Sequence, residues 1–324
     1  MGLYTSTQRL LRFGFWFFYH KVHIRSIENL PLKGPVLLVA NHPNSFMDAL
    51  LIGAYLKRPI HFLARGDAFD NPVLAKIFKA YNMLPVYRIS EGKENIEKNF
   101  DTFDACYDAL NKGGVVLIFG EGLCKNNWDL RPLKKGPARI AQRAWNGSDA
   151  AKDLVIVPVG LTYEHFDGGG KSSMLRYGAP ITKNDLGDDL QASNFVQQLN
   201  GRIASSLSEL AYVNRELKPE TAAHDDMMLR WQKAEENGKD VLDALQHPVI
   251  RGGEENKKYV MQHKRWFTKI HAGVIALPHY WVCKMVAGKL TKGSVFYDSI
   301  LYGLVLFLFP LYWLTVILLI CYFI

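Results

Sequence analysis

The chain has 324 residues, 48% of them hydrophobic, and carries a formal net charge of +8 at pH 7. The charge calls for an anionic partner, nucleic acid or membrane, and the absence of zinc-finger spacing or a Gly-rich aromatic strand motif argues against nucleic acid. Cys106, Cys124, Cys283 and Cys321 form no CxxC pair, so neither a metal site nor a disulfide framework is expected, and reduced thiols in a cytosolic setting fit.

At the N-terminus, residues 9 to 25 interleave Phe15-Trp16-Phe17-Phe18-Tyr19 with Arg9, Arg12, Lys21 and Arg25. Aromatic rings and basic groups both favour the membrane interface, so residues 1–25 are read as an interfacial helix. The competing reading is a helix packed on the domain edge. Met1-Gly2 with Ser6 matches a myristoylation pattern at too few positions to count, and this N-terminus is no clean signal peptide.

From Pro35 onward strands and helices alternate. Val36–Val39 reads as a buried strand, Asp48–Leu56 as a helix, Ile60–Leu63 as a strand and Val73–Tyr81 as a helix. Leu84–Val86 is a short strand, and Ile96–Leu110 is an amphipathic helix closed by Gly113-Gly114. The continuous apolar runs Val115–Phe119 and Leu154–Val157 have the character of buried parallel strands. The expected fold is therefore α/β, a mixed, largely parallel sheet flanked by helices, with membrane-associated helices at both ends. Gly168-Gly169-Gly170-Lys171-Ser172 lacks the earlier glycine of a phosphate loop and reads as a turn.

Residues 216–265 are polar and read as a solvated helical arm, and 266–324 as a membrane anchor. Within the anchor, Pro278 and Lys284 interrupt the segment 271–287, which is expected to be re-entrant or interfacial. Ile300–Ile324 contains no charged residue and is long enough to cross a bilayer. A prenylation box at Cys321–Ile324 would lie inside that run and is set aside. Lys289 and Lys292 between the two segments favour the cytoplasmic side.

The segment that carries chemistry is Asn41-His42-Pro43-Asn44-Ser45-Phe46-Met47-Asp48, which leaves a strand and opens a helix. Ser45 and Asp48 could form a capping box, but that leaves unexplained a histidine at the strand-to-helix turn, where α/β sheets present ligands. A histidine oriented by a carboxylate can deprotonate an alcohol for attack on a thioester without a serine or cysteine nucleophile. Three further segments follow in order. They are Phe62–Asp67 leading to Leu84-Pro85-Val86-Tyr87-Arg88, then Phe119-Gly120-Glu121-Gly122 with Arg131–Gly136, then Val157-Pro158-Val159.

This set resembles the glycerolipid acyltransferase family, which includes glycerol-3-phosphate and lysophosphatidate acyltransferases, over roughly residues 20 to 190. The resemblance implies an acyltransferase domain at 26–215, with His42 as base, Asp48 as its orienting partner and Pro158 shaping the site. It also implies that Arg88, Glu121 and Gly122 bind the glycerol-phosphate part of the acceptor. Five residues separate His42 from Asp48 where the family usually has four, as in a subgroup with some fungal glycerol-3-phosphate acyltransferases. Asn82, Gly120, Leu123 and Cys124 also depart from the family pattern, and Cys124 replaces an arginine that would bind phosphate. Lys125, Arg131, Lys134 and Lys135 are candidate substitutes.

The function so implied is transfer of a fatty acyl group from acyl-CoA or acyl carrier protein to a glycerol-3-phosphate or lysophosphatidate hydroxyl. It needs no cofactor, takes membrane lipids as partners, and belongs at the cytoplasmic face of a membrane. The rivals are the same chemistry on a lyso-amino-acid or other lysolipid, and a non-catalytic lipid-binding protein on the same fold.

Overall fold

The computed structural model describes residues 2–87, 94–147, 149–186, 193–246, 278–291 and 293–323, with 94–100 and 323 described by backbone only. The chain opens with α1 (Leu3–Phe18), β1 (Tyr19–Arg25), β2 (Val36–Ala40), α2 (Phe46–Tyr55), β3 (Ile60–Arg65), α3 (Pro72–Ala80) and β4 (Met83–Val86). It continues through α4 (Glu94–Asn111), β5 (Val115–Phe119), α5 (Gly136–Trp145), β6 (Val155–Tyr163), β7 (Lys171–Tyr177) and α6 (Phe195–Leu210). The last described helices are α7 (Ala222–Glu236), α8 (Val241–Gln246), α9 (Pro278–Thr291) and α10 (Tyr297–Phe323).

Among the described residues one sheet runs in the order β1-β7-β6-β2-β5-β3-β4. Every neighbouring pair is parallel except β6 and β7, which form an antiparallel pair across the Gly168–Gly170 turn. The expected mixed, largely parallel α/β sheet is what forms. Its centre is β2, whose five residues are all buried because helices cover both faces. Val36, Leu38 and Ala40 join one apolar cluster with α1, α2, α7 and α8, whereas Leu37 and Val39 join another with α4, α5 and α6. The two-residue period of a strand sends alternate side chains to the two faces, and each fully buried aliphatic contributes about 1.5–3 kcal/mol.

Two regions differ from the expectation. The N-terminal helix ends at Phe18, and Tyr19–Arg25 is a strand pairing with β7, so Lys21 and Arg25 belong to the sheet and not to an interfacial helix. The aromatic run is split by this change: Phe15, Phe18 and Tyr19 are buried, while Leu10, Phe13 and Trp16 stay exposed on α1. The second difference is the segment expected to be a solvated arm. Helix α7 buries His224, Met227, Trp231 and Ala234, and Glu235 ties the Trp231 indole and His23 of β1 together. Those residues recur at helical spacing, so a thin apolar stripe was enough to dock a helix whose average composition is polar. Residues 247–265 of that arm and 266–277 of the anchor lie outside the described residues.

Helix α10 spans 27 residues, about 40 Å at 1.5 Å per residue, which exceeds the ~30 Å hydrocarbon core. It is the one described helix long and apolar enough to cross a membrane, and its most apolar stretch is not buried by the rest of the protein. The described part of helix α9, 14 residues, is about 21 Å long. It lies against α10, with His279 packed on Phe309 and Tyr312, and exposes Trp281, Met285 and Leu290. Helix α1 meets α10 at Gly14, where an added Cβ would sit 2.5 Å from the Tyr302 hydroxyl, so only glycine permits this approach. The same hydroxyl donates to the Leu11 carbonyl at 2.8 Å, and the Tyr302 ring stacks on Phe15.

Candidate active site

The parallel strands β2, β3, β4 and β5 deliver their carboxyl ends to one edge of the sheet, where α/β sheets bind ligands. Asn41 follows β2 and extends its pairing by side chain. Its amide donates to the Leu161 carbonyl at 2.9 Å and accepts the Leu161 N–H at 2.7 Å. His42 comes next and is 19% exposed, against 0% for Asp48.

His42 Nδ1 lies 2.8 Å from Asp48 Oδ2. The same carboxylate oxygen accepts the Asn44 N–H at 2.8 Å, and Oδ1 accepts the Tyr163 hydroxyl at 2.6 Å. Three donors thus converge on Asp48. A carboxylate in that position accepts, so Nδ1 carries the proton and Nε2 is left with its lone pair. Nε2 has no hydrogen-bond partner among the described residues. The imidazole is clamped from the side by Phe119, stacked at 3.9 Å between centroids and 12° between planes. Burial and the Asp48 charge push the Tyr163 phenol well above its ordinary value, so it stays a proton donor.

The turn that connects these groups is strained. Ser45 has φ 50° and ψ −134°, a region costly for any residue with a Cβ, on the order of 1–3 kcal/mol. Ser45 is the N-cap of α2, but its side chain makes no cap hydrogen bond, so the capping box that competed with a chemical role for Asp48 does not form. Asp48 reaches back to Asn44 and His42 instead. The Ser45 N–H donates to Cys124 Sγ at 2.8 Å, which gives the residue in place of a phosphate-binding arginine a role in holding this turn. Burial pushes the Cys124 thiol up to about 12, so the sulfur is neutral.

His42, Asp48 and Cys124 offer ligand atoms within 4.8 Å of one another. A cation there would have to displace the donors on Asp48 and ionise a thiol that burial holds neutral. The arrangement fits a proton relay better than a metal centre.

After β5 the chain turns at Glu121, which is buried, and Gly122, which takes φ 69° and so favours glycine. Glu121 pairs with Arg131, whose Nε donates to Oε2 at 2.8 Å. Burial raises the Glu121 carboxyl above its ordinary value, and the Arg131 guanidinium offsets this only in part. Glu121 Oε1 is buried without a partner among the described residues, a polar atom placed to receive a donor. Arg131 also donates to the carbonyls of Leu123 at 2.6 Å and His42 at 3.4 Å. It is therefore a strut of the site rather than a free phosphate ligand, which removes it from the candidate substitutes. Lys134 and Lys135 are exposed, and Lys134 lies against Gly122, where an added Cβ would be 3.1 Å from its Cγ.

The structure thus gathers His42, Asp48, Glu121, Gly122 and Lys134 at the ends of β2 and β5. It puts Lys135 one residue before α5. Arg88 lies outside the described residues, which end on that stretch at Tyr87 just past β4. Sequence reasoning missed Tyr163, Phe119, Asn44 and the structural use of Cys124. Asn44 and Phe119 stood inside quoted motifs without a role of their own, and nothing local marks Tyr163 as a partner of a residue 115 positions away.

Residues 21–162 match the family model described as Acyltransferase. Among curated relatives, a 1-acyl-sn-glycerol-3-phosphate acyltransferase of Chlamydomonas reinhardtii is 27% identical over 207 residues, 62% of this chain and 58% of that protein. A chloroplastic 1-acyl-sn-glycerol-3-phosphate acyltransferase of Arabidopsis thaliana is 26% identical over 144 residues, 44% of this chain and 36% of that protein. The chain therefore matches between about a third and three fifths of these relatives' length. A solved 1-acyl-sn-glycerophosphate acyltransferase from Thermotoga maritima superposes with a TM-score of 0.47 at 17% identity, covering 63% of this chain and 79% of that one.

Proposed function

We propose that this protein, whose residues 21–162 match the Acyltransferase family model, transfers a fatty acyl group from a thioester donor to a hydroxyl of a glycerol-phosphate lipid precursor. The observation that carries the reading is the His42–Asp48–Tyr163 relay at the end of β2, with Nε2 unengaged beside the buried Glu121 turn. Nε2 takes the proton of the acceptor hydroxyl as its oxygen attacks the thioester carbonyl. The tetrahedral adduct collapses, the C–S bond breaks, and the imidazolium returns the proton to the departing thiolate. Asp48 holds the ring in the required tautomer and stabilises the transient cation. Glu121 Oε1, a polar atom without a partner among the described residues, takes part on the acceptor side, and Arg88, Gly122, Lys134 and Lys135 supply the remaining acceptor contacts in this reading.

The donor is acyl-CoA or acyl carrier protein, and no cofactor enters the step. In this reading α10 crosses the membrane, the exposed apolar faces of α1 and α9 lie in its interface, and the active site works at the cytoplasmic side.

A second reading has a specific observation behind it. Arg131 is committed to Glu121 and Cys124 to Ser45, which leaves few guanidiniums for a phosphate, so the acceptor is a phosphate-free lysolipid. Purified protein incubated with labelled acyl-CoA or acyl carrier protein and a panel of acceptors, with products resolved by mass, decides. Acylation of glycerol-3-phosphate or lysophosphatidate supports the first reading, and acylation confined to phosphate-free lysolipids supports the second. No acylated product from any acceptor would overturn both. Arg88→Lys sharpens the choice. Lysine cannot reproduce a bidentate grip on phosphate, so the first reading expects kcat/KM to fall for phosphorylated acceptors alone.

A further inference from the structure

Helix α10 does more than present an apolar surface. Its first turn carries Asp298, which is 1% exposed although it belongs to the segment with membrane character. Four lone-pair positions of that carboxylate meet three donors from the catalytic domain. Lys171 Nζ of β7 pairs with Oδ2, the Gly168 N–H donates to Oδ1 at 2.7 Å, and Asn44 Nδ2 donates to Oδ2 at 2.8 Å. Lys171 and Asn44 are each 0% exposed.

Asn44 is the informative member of this set. It lies between His42 and Asp48, and it is held at both ends. Its backbone N–H donates to Asp48 Oδ2, the oxygen that also receives His42 Nδ1, while its side chain donates to Asp298. The next residue is Ser45, whose left-handed φ has to be imposed from outside. Two of the imposing contacts come from the domain itself, through Asp48 and Cys124. The third comes from the foot of the membrane helix. We propose that Asp298 is a positioning residue for acyl transfer, which acts through Asn44 so that the seating of α10 in the domain sets the His42–Asp48 geometry. The proposal rests on the acyl-transfer reading above.

The alternative is that the Lys171–Asp298 pair merely anchors α10. The two differ in what Asn44 does. Removing its amide leaves the buried ion pair and the Gly168 contact intact, so a simple anchor would be unaffected. The test is made on the full chain in lipid nanodiscs, with kcat and KM measured for the thioester and the acceptor that the wild type uses. Asn44→Ala is expected to lower kcat about ten- to a hundredfold, the scale of a misplaced reacting group, with thioester KM changed less than about twofold. Asp298 cannot be neutralised alone without leaving Lys171 charged and buried, so the second variant is Lys171→Met with Asp298→Leu, an exchange of ion pair for apolar pair that proteins often tolerate. It is expected to lower kcat to a similar extent, and Asn44→Ala added to it is expected to cost nothing more, as two members of one linkage should behave.

Wild-type kcat in Asn44→Ala would overturn the proposal, as would losses that multiply independently in the combined variant. A wild type that acylates no acceptor would instead overturn the acyl-transfer reading, and this inference with it. A third variant separates seating from membrane attachment. Replacing residues 303–323 with an unrelated apolar helix keeps Asp298 and is expected to leave kcat within about threefold. A loss as large as that of Asn44→Ala would show that the distal helix, not Asp298, sets the rate.

Discussion

Asp48 and Asp298 are both buried carboxylates, and both receive donors from Asn44, yet they have been built for different ends. Asp48 takes an imidazole, a phenol and one backbone N–H, and the imidazole keeps an open nitrogen and 19% exposure. Asp298 takes an ammonium, a side-chain amide and a backbone N–H, all closed from solvent. Burial and hydrogen bonding alone do not separate a reacting group from a fixed one. On the proposed mechanism, what separates them is whether a titratable partner retains a free site for substrate.

The largest test of that contrast is at the open nitrogen. His42→Ala is expected to lower acyl transfer by about two to four orders of magnitude, the usual contribution of a positioned base, while the melting temperature stays within a few degrees. Turnover of labelled thioester checks it, and near-normal turnover would remove the relay as the mechanism. Asp48→Asn comes second. An amide at that position can donate to Nδ1, which moves the ring proton to Nε2 and closes the base, so a loss of about two orders is expected. Equal rates for Asp48→Asn and wild type would mean that the carboxylate only caps the turn.

The sheet was legible because its central strands are continuous apolar runs, a signal that needs no context. The relay was legible in its first two members because His42 and Asp48 are close in sequence on one turn. Tyr163 was not, since it arrives from the far end of β6. The strand β7 was hidden by Lys171, Ser172 and Ser173, polar residues that are all buried, where Asp298 pairs with Lys171 and Glu164 accepts the Ser172 N–H. Trp231 was overlooked for the opposite reason: its apolar stripe is diluted by charged neighbours on the exposed side of α7. In each case the missing information was a long-range partner.

A smaller effect is expected at Tyr163. Tyr163→Phe removes one of the three donors on Asp48 but leaves the His42 contact, so the relay is loosened rather than broken. A hydrogen bond to a charged group contributes about 1.5–3 kcal/mol, so stability falls by about 2 kcal/mol. The rate falls less than in Asp48→Asn. Chemical denaturation and steady-state kinetics on the same preparation check both. A rate loss equal to that of His42→Ala would make the phenol a reacting group and spoil the contrast drawn above.

The smallest effect concerns a third buried carboxylate, which has neither an open histidine nor a paired ammonium. Glu164, at the end of β6, accepts the Ser172 N–H at 2.8 Å and lies 3.4 Å from the Gln232 amide of α7. Burial pushes its carboxyl from the ordinary value of 4.5 up to about 7, and the Ser172 hydrogen bond offsets this only in part. Between those two values the folded protein holds a proton that the unfolded chain has released. Stability from this group is therefore fully present below about 4.5 and is lost as pH rises toward about 7. Glu164→Gln keeps the acceptor for Ser172, and its new amide can donate to Gln232 Oε1, which is buried without a partner among the described residues. The variant should melt close to wild type at pH 4.5 and a few degrees higher at pH 8, where the wild type must bury a charge. Glu164 meets Ser172 and Gln232 rather than His42 or Asp48, so acyl transfer should be unchanged. A variant less stable than wild type at pH 8 would show that Glu164 is held ionised by the cations around it.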